Sequence, residues 1–296
     1  MLAFFAVIFL MDRAAGSLLK HFYYKQDSGF DYSSTYAMDK TTADILVLGS
    51  SRAVNIFDTK LFSDKFNGSC YNAGRYGEPI FYHYAILKSA LKRYKPKMII
   101  LSFDAGSFSK SAESYDRLSV LLPYYKNHPE IRPIVTLKGP YEKLKMLSST
   151  YPYNSLLLPI ITGNTTFNKA KYANENGFIP IERNFAGSLQ TFDYTKELKL
   201  DTNKINTYKM LIEDCLANQI PLYITCPPYM INAIGIDSSL SKAIKIAAEK
   251  KVHFFDYSRD SFFTTKPALF ADYRHLNKEG VLLFCNKIIK RIEDTK

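Results

Sequence analysis

Short apolar runs alternate along this chain with segments in which apolar residues recur every three or four positions. The runs predict buried strands at residues 44–49, 98–101, 222–226 and 254–255. The segments with helical spacing lie at residues 79–94, 205–218, 240–250 and 280–292. Strands that alternate with helices indicate βαβ units and a parallel sheet with helices on both faces. We therefore predict a three-layer α/β/α fold.

The alternation breaks between residues 105 and 200. This stretch is rich in turn-forming residues and tyrosine, as in PYYKNHPEIRP and TGNTTFNKAKYANENG. We interpret it as one long insertion after the third strand, leaving the C-terminal edge of the strand at residues 98–101, where open α/β sheets bind their ligands. Two roles stay open for it: a cap over the site, or a small helical subdomain without substrate contact.

The first eleven residues, MLAFFAVIFLM, are apolar and uncharged, and Asp12 and Arg13 follow directly. Crossing a bilayer takes about twenty apolar residues, and a signal peptide normally has a basic segment before its apolar core. Three interpretations remain: an anchor that begins upstream, a signal-like core, or a buried amphipathic helix. We favour a membrane anchor or signal-like segment over residues 1–24, because an exposed FFAVIFL stretch is costly on a soluble protein.

Composition narrows the class of protein. With 296 residues, 47% of them apolar and 23% charged, the chain can bury a sizeable core and is not of a disordered type. A net charge of +11 suits an anionic membrane or an acidic polymer as well as nucleic acid. No arginine-rich arm or zinc-finger spacing is present, so we predict no nucleic-acid partner. Neither the four cysteines nor the histidines have ligand spacing, so we predict no metal site.

Residues suited to nucleophilic and acid–base chemistry follow two of the predicted strands. Ser51 comes just after the strand at residues 44–49, while Asp272 and His275 lie between the last strand and the last helix. In a parallel sheet these loops meet at one edge, where a histidine held by an aspartate can deprotonate a serine. Each motif alone also fits a helix cap or a loop former. Both together, in the order Ser, Asp, His, predict a catalytic triad.

Three segments resemble motifs of the SGNH, or GDSL-type, esterase superfamily. DILVLGSSR at residues 44–52 resembles the block whose nucleophile maps onto Ser51. DYRHLNKEG at residues 272–280 resembles the DxxH block, so that Asp272 and His275 carry over. YNAG at residues 71–74 resembles the block whose glycine amide helps to form the oxyanion hole. The resemblance implies a flavodoxin-like fold with a mostly parallel five-stranded sheet over residues 25–296, and an oxyanion hole made by the amides of Ser51 and Gly74.

One block departs from the superfamily pattern. The motif GxND, whose asparagine donates to the oxyanion, corresponds to LSFD at residues 101–104, with Phe103 in place of the asparagine. Losing such a donor costs about 2.7–4 kcal/mol of transition-state stabilisation. Either Asn72 replaces the donor, or the enzyme is slow, or the site is degenerate. We also expect Arg52 and Tyr229 to bind substrate, with a structural ion pair as the alternative for Arg52.

The GSSR sequence with a divergent third block most resembles the membrane-anchored branch of the superfamily, which includes the lipoteichoic-acid D-alanine transfer protein and alginate acetylation proteins. That branch implies a serine esterase or O-acyltransferase without a cofactor. Its substrate would be acyl, chiefly acetyl, esters of a cell-envelope polysaccharide, and its partner a membrane-bound O-acyltransferase. The alternative is a non-catalytic module that binds glycan or that partner.

Two opposing indications bear on which side of the membrane the domain lies. The resemblance to the membrane-anchored branch implies a domain outside the cytoplasm. The basic residues Arg13, Lys20 and Lys25, which follow the apolar run, favour the cytoplasm instead. We expect an extracytoplasmic domain, because an envelope polysaccharide is met there.

Overall fold

The computed structural model describes residues 1–171, 176–195 and 199–295. The chain divides into two compact units, which we call the helical unit (Met1–Lys40 and Ala112–Ala173) and the sheet unit (Thr41–Ser111 and Asn174–Lys296). Part of the predicted insertion over residues 105–200, at 172–175 and 196–198, lies outside the described residues. The rest of the insertion forms the second segment of the helical unit, and its last residues belong to the second segment of the sheet unit.

The helices and strands are numbered in chain order. The α-helices are α1 (Leu2–Lys25), α2 (Gly29–Asp39), α3 (Ser51–Ile56), α4 (Thr59–Phe66), α5 (Ile80–Leu91), α6 (Ala112–Asp116), α7 (Arg132–Val135), α8 (Glu142–Lys145), α9 (Leu157–Gly163), α10 (Thr166–Lys171), α11 (Thr202–Ala217), α12 (Ser238–Glu249), α13 (Ser261–Thr264) and α14 (Lys278–Glu293). The strands are β1 (Ile45–Leu48), β2 (Cys70–Asn72), β3 (Met98–Ser102), β4 (Gln190–Asp193), β5 (Leu222–Cys226), β6 (Ile231–Ile234) and β7 (His253–Asp256). Short 3₁₀ helices lie at Arg117–Tyr124, Pro129–Ile131, Thr136–Lys138, Tyr151–Leu156 and Pro267–Leu269.

A central sheet of five parallel strands forms the middle layer of the sheet unit. Its strand order is β2-β1-β3-β5-β7, and β4 pairs with β6 in a separate two-stranded parallel sheet. Alternate residues of β1 point to opposite faces. Ile45 and Val47 join a core cluster with Phe284 and Ile288 of α14, whereas Leu46 and Leu48 are buried on the other face. The predicted three-layer α/β/α fold is confirmed.

The ends of the predicted helices moved by three residues or fewer, and their caps explain the shift. Helices α11, α12 and α14 each begin two or three residues before the predicted start. Asp201, Asp237 and Asn277 precede them, and each side chain accepts a hydrogen bond from an amide of the first turn. Such caps satisfy amides that have no partner within the helix. The apolar periodicity marks only the buried part of each helix.

The helical unit is held together by α1, α2 and the segment after residue 112. The buried hydroxyl of Tyr124 lies 2.9 Å from that of Tyr23 in α1 and 2.7 Å from that of Thr35 in α2. Within the described residues, α1 is the helix that is long and apolar enough to cross a membrane, and almost none of its apolar stretch is buried. The apolar stretch of α1 therefore does not pack into the core of the unit, and by length and composition α1 suits a membrane anchor or a signal sequence.

A buried histidine makes the stability of the helical unit depend on pH. The ring nitrogens of His128 lie 2.8 Å from Asp39 and 2.8 Å from Glu130. Burial works to lower the pKa of His128, but the two carboxylates outweigh it and raise the pKa above 6.5. The protonated His128 ring stabilises the folded helical unit through these two carboxylates. The contribution is fully present below about pH 6.5 and is lost as the pH rises through the raised pKa of His128.

We expect the stability difference between the wild type and His128→Gln to shrink as the pH rises from 6 to 9. Urea unfolding followed by circular dichroism at several pH values measures it. The Asp39→Asn variant removes one of the two carboxylates and should weaken the same pH dependence. A difference that stays constant over the whole range would contradict the linkage.

Candidate active site

The turn between β1 and α3 presents Ser51 at the C-terminal edge of the sheet. Gly49 has φ +147°, and a Cβ there would lie 2.7 Å from the Cβ of Ser102 and 2.8 Å from that of Ala53. Only glycine therefore fits this turn. Ser50 is the N-cap of α3, its side chain accepting from the amide of Arg52, and Ser51 is the first helical residue.

The loop that carries His275 is closed on itself. An antiparallel bridge joins Phe270 to Leu276, and the amide of Ala271 donates to the carbonyl of His275 at 2.8 Å. Within the loop, Oδ1 of Asp272 accepts from the amides of Arg274 and His275 at 2.9 and 3.0 Å. The three-residue spacing of the DxxH motif thus folds the aspartate back beneath the histidine ring.

Ser51, His275 and Asp272 form one hydrogen-bonded chain. Oγ of Ser51 lies 2.9 Å from Nε2 of His275, and Nδ1 of His275 lies 2.9 Å from Oδ1 of Asp272. The His275 side chain is 16% exposed, so the ring is shielded while the serine hydroxyl stays partly open. A neutral imidazole with a carboxylate on Nδ1 can accept the serine proton at Nε2. The geometry is that of a nucleophile, its base and an orienting acid.

Arg183 is a further charged group on Asp272. Its guanidinium donates to Oδ2 of Asp272 at 2.9 Å, with the arginine side chain 67% exposed. Burial works to raise the pKa of Asp272, but hydrogen bonds from the His275 ring and the Arg274 amide, with the charge of His275 and the Arg183 contact, hold it well below its ordinary value. Asp272 is therefore ionised across the neutral pH range. Nothing in the sequence around residue 183 indicates this contact, because it joins residues 89 positions apart.

Arg52 lies beneath the site instead of facing a substrate. Its side chain is 1% exposed, and the guanidinium donates to the carbonyls of Pro228 and Arg274 at 2.8 and 3.1 Å. It also pairs with Asp104 at 3.4 Å and stacks 3.6 Å from the ring centre of Tyr229. The predicted substrate contact is thus replaced by a buried ion pair. Arg52 ties the nucleophile turn to the loops that follow β3 and β5 and to the His275 loop.

Ser50 and Asp104 fix which serine faces the histidine. Oγ of Ser50 donates to Oδ2 of Asp104, so this hydroxyl points towards the loop after β3. Phe103, which occupies the place of the superfamily's asparagine, is 2% exposed and packs on Phe108 and Tyr208. Its ring belongs to the core and offers no donor. The sequence pattern drew attention to Phe103 and gave no signal for the contact made by its neighbour Asp104.

The two oxyanion donors predicted after β2 are engaged elsewhere. Nδ2 of Asn72 donates to the carbonyls of Ala53 and Phe57 at 2.7 and 3.2 Å, which fastens α3 to the end of β2. The amide of Gly74 donates to Oδ1 of Asn72 at 3.0 Å. Asn72 thus holds α3 in place and is not a substrate contact in this structure. The Ser51 amide, at the first position of α3, is the remaining predicted donor.

A cavity of about 160 Å³ lies at the same edge of the sheet, between the loops after β3, β5 and β7. Its walls include aromatic, aliphatic and charged side chains, among them Tyr194, Tyr229, Ile231, Asp237 and Arg259. Tyr229 covers Arg52 with one ring face, and its hydroxyl accepts from the amide of Ala105 at 2.9 Å. A substrate role for Tyr229 stays a prediction.

His83 lies in the other core layer, on α5. Its side chain is buried, and burial lowers the pKa of His83 to about 4, so the ring is neutral. In the part of the chain that the structure describes, histidine, cysteine, aspartate and glutamate side chains do not gather in groups of three or more that could hold a metal ion. His83 is a packing residue in this arrangement.

No family model and no curated protein matches the sequence. Solved structures of similar fold include a Bacteroides fragilis protein described as an acylhydrolase, with 14% identity, coverage of 85% of this chain and 86% of that chain, and a TM-score of 0.40. A lipase/acylhydrolase from Enterococcus faecalis has 12% identity, coverage of 85% and 96%, and a TM-score of 0.42. An acetyl xylan esterase has 12% identity, coverage of 84% and 99%, and a TM-score of 0.42. At such identities and TM-scores, the function is argued from the site alone.

The buried ion pair leads to a stability prediction. Arg52→Met leaves Oδ1 of Asp104 and two loop carbonyls without the guanidinium donor, and breaking a buried pair costs about 3–5 kcal/mol. We expect a loss of that size in the free energy of unfolding, measured by urea denaturation. Lys60→Met, which breaks the exposed Lys60–Asp64 pair, is the matched control and should change stability by less than about 0.5 kcal/mol. Equal losses in the two variants would contradict the role given to Arg52.

Proposed function

We propose that this protein is a serine esterase or O-acyltransferase of the SGNH type. Ser51 is the nucleophile, His275 the general base and Asp272 the group that orients the imidazole. The observation that carries the proposal is the chain of hydrogen bonds from Oγ of Ser51 through His275 to Asp272, at 2.9 Å for each link. Its residues come from two loops more than 200 positions apart, at one edge of a parallel sheet, where active sites of such sheets lie.

In the first half of the reaction, Ser51 Oγ attacks the carbonyl carbon of an ester while Nε2 of His275 takes the serine proton. The resulting tetrahedral intermediate collapses, the bond from the carbonyl carbon to the alcohol oxygen breaks, and His275 gives the proton to the leaving alcohol. Asp272, ionised and bound to Nδ1, stabilises the imidazolium between these transfers. The product is an acyl group on Ser51.

The second half repeats these steps with a new nucleophile. His275 takes a proton from water or from a sugar hydroxyl, whose oxygen attacks the acyl carbon. The bond from that carbon to Oγ of Ser51 then breaks, and His275 returns the proton to Oγ. Water gives an esterase and a sugar hydroxyl gives an O-acyltransferase. No cofactor is needed, because every proton that moves is held by His275.

Stabilisation of the oxyanion is the weakest part of this site. The Ser51 amide is the donor that we propose, since Asn72 and the Gly74 amide are bound to each other and to α3. Each missing donor costs about 2.7–4 kcal/mol, or a factor of 10²–10³ in rate. We therefore infer slow turnover on simple esters.

For the substrate we propose acyl, chiefly acetyl, esters of a cell-envelope polysaccharide, met outside the cytoplasm and beside a membrane-bound O-acyltransferase. Three features support this proposal: the GSSR sequence of the membrane-anchored branch, the apolar helix α1, and a net charge of +11 that suits anionic polymers and membranes. The half-buried Tyr194 lines the cavity at this edge of the sheet and offers an aromatic face of the kind that sugars stack on.

A second candidate function is a non-catalytic module that binds glycan or an acyltransferase. The observation that favours it is the state of the loop after β2. The amides of Ala73, Gly74 and Arg75 all donate within the protein, to Val47, Asn72 and Gly49. Together with Phe103 in the core, this leaves a serine nucleophile with little help for the oxyanion.

Catalysis by Ser51 predicts slow hydrolysis of p-nitrophenyl acetate and covalent labelling by a fluorophosphonate probe. Ser51→Ala and His275→Ala should each lower kcat by at least about 10³-fold, because they remove the nucleophile or its base. Ser50→Ala, which keeps Ser51 but loses the contact with Asp104, is the matched control and should still be labelled. Absence of both turnover and labelling in the folded wild type would overturn the proposal of an enzyme and favour the non-catalytic binding module.

Arg183 predicts a smaller effect on the same reaction. Its exposed ion pair with Asp272 is worth about 1 kcal/mol or less, so Arg183→Ala should lower kcat/KM by a factor of about five at most, with an unchanged fold. Arg117→Ala breaks an exposed arginine–glutamate pair elsewhere and should leave kcat/KM unchanged. A loss of 10²-fold or more in Arg183→Ala would show that Arg183 binds substrate directly.

A further inference from the structure

The helical unit exposes large apolar side chains beyond those of α1. Leu147 of the loop after α8 is 65% exposed, and Leu158 of α9 is 70% exposed. We call the whole set the leucine face; its members are Tyr141, Leu144, Leu147, Leu157, Leu158 and Ile161, between 49% and 70% exposed. Their neighbours Met146 and Ile160 are buried, so the exposed residues are those that the fold turns outward. Such concentrations of exposed apolar side chains mark binding surfaces.

Hydrogen bonds fix the position of the leucine face relative to α1. The Asp12 carboxylate accepts from the amide of Ser149 at 2.7 Å and from the hydroxyls of Ser148 and Thr150 at 2.6 and 2.7 Å. The Arg13 guanidinium donates to the carbonyl of Leu147 at 2.8 Å. Leu147 is therefore held beside the point of α1 at which the apolar run ends.

Close packing also fixes the position of this loop against α1. A Cβ at Gly16 would lie 2.4 Å from the Cβ of Ser149, so that only glycine allows this approach of α1 to the loop. Further along, Nδ2 of Asn164 donates to the carbonyl of Phe22 at 2.9 Å, which holds the end of α9 against α1. Both parts of the leucine face are thus fastened to the same helix.

The chemistry of α1 indicates what covers this surface. Residues 2–11 are apolar and exposed on every side of the helix, a pattern that suits the interior of a membrane. Ten residues rise about 15 Å, or half the thickness of the hydrocarbon core. Asp12 and Arg13 then mark the level at which water begins, and Leu147 is held at that level. Tyr141 and the exposed Lys143 add the aromatic and basic side chains that suit an anionic lipid surface.

We propose that the leucine face inserts into the interfacial layer of an anionic phospholipid bilayer, beside α1. The helical unit is then a membrane-docking element with two parts, an apolar helix in the hydrocarbon and a set of leucines at the headgroup boundary. This proposal does not depend on the catalytic role of Ser51.

The chain contains no tryptophan, so a single introduced tryptophan reports its own surroundings. We would reconstitute the full chain carrying Leu147→Trp or Leu158→Trp into vesicles of phosphatidylcholine and phosphatidylglycerol with brominated acyl chains. Phe5→Trp reports insertion of α1. Leu216→Trp, 45% exposed on α11 of the sheet unit, is the matched control for a leucine outside the leucine face. Circular dichroism shows which variants fold, and Leu144→Trp replaces any that does not.

We expect blue-shifted emission in Leu147→Trp and Leu158→Trp, and quenching at least about twice as strong as in Leu216→Trp. The shift should weaken in vesicles of phosphatidylcholine alone. Quenching in Phe5→Trp without quenching in either leucine-face variant would overturn the proposal and leave this surface for a protein partner. Equal quenching in Leu216→Trp would also overturn it, since it would mean adsorption without orientation.

Discussion

The guanidinium of Arg52 is a full charge with 1% exposure, and the edge of the sheet is arranged to satisfy it. Burying an ion costs several kcal/mol unless hydrogen bonds and an opposite charge compensate. The compensating groups are Asp104 after β3, the Pro228 carbonyl after β5 and the Arg274 carbonyl in the loop of His275. Because one rigid, planar group binds all three, those loops cannot move independently of the turn that carries Ser51. The same turn and the same loop carry Ser51 and His275, whose side chains lie 2.9 Å apart.

The hydrogen-bond donors of Asn72 and Gly74 hold the protein together near Ser51, and for that reason they are not free to bind an oxyanion. Asn72 uses its amide nitrogen to hold the carbonyls of Ala53 and Phe57, and its oxygen to bind the Gly74 amide. These bonds keep α3, and with it Ser51, in place against the sheet. The same bonds occupy donors that an oxyanion would need. Under the proposed function, the fixed orientation of Ser51 would favour reaction, while electrostatic stabilisation of the oxyanion would be lost.

Local patterns predicted the fold, because apolar periodicity follows short-range rules, and signals of the same kind led to the triad hypothesis. Apolar runs and helical spacing indicated the central strands and the helices α5, α11, α12 and α14. The two residues of the DxxH motif form their hydrogen bonds with each other within one loop. What the sequence did not reveal depends on contacts between distant residues. Two interpretations were open for Arg52, a substrate contact and a structural ion pair, and the burial created by three loops favours the ion pair. Arg183 and Asp104 act across 89 and 54 positions, with no periodicity or motif to signal them.

Membrane attachment and weak oxyanion stabilisation fit together under the proposed function. An enzyme fixed to the surface that carries its substrate meets that substrate at a high effective concentration, which for tethered partners reaches the millimolar range. Binding then needs little affinity, and a modest kcat still gives useful flux. A soluble ester lacks this advantage and reports only the intrinsic chemistry of Ser51 and His275. Slow turnover in solution is therefore the expected behaviour of a site whose neighbouring amides already donate within the protein.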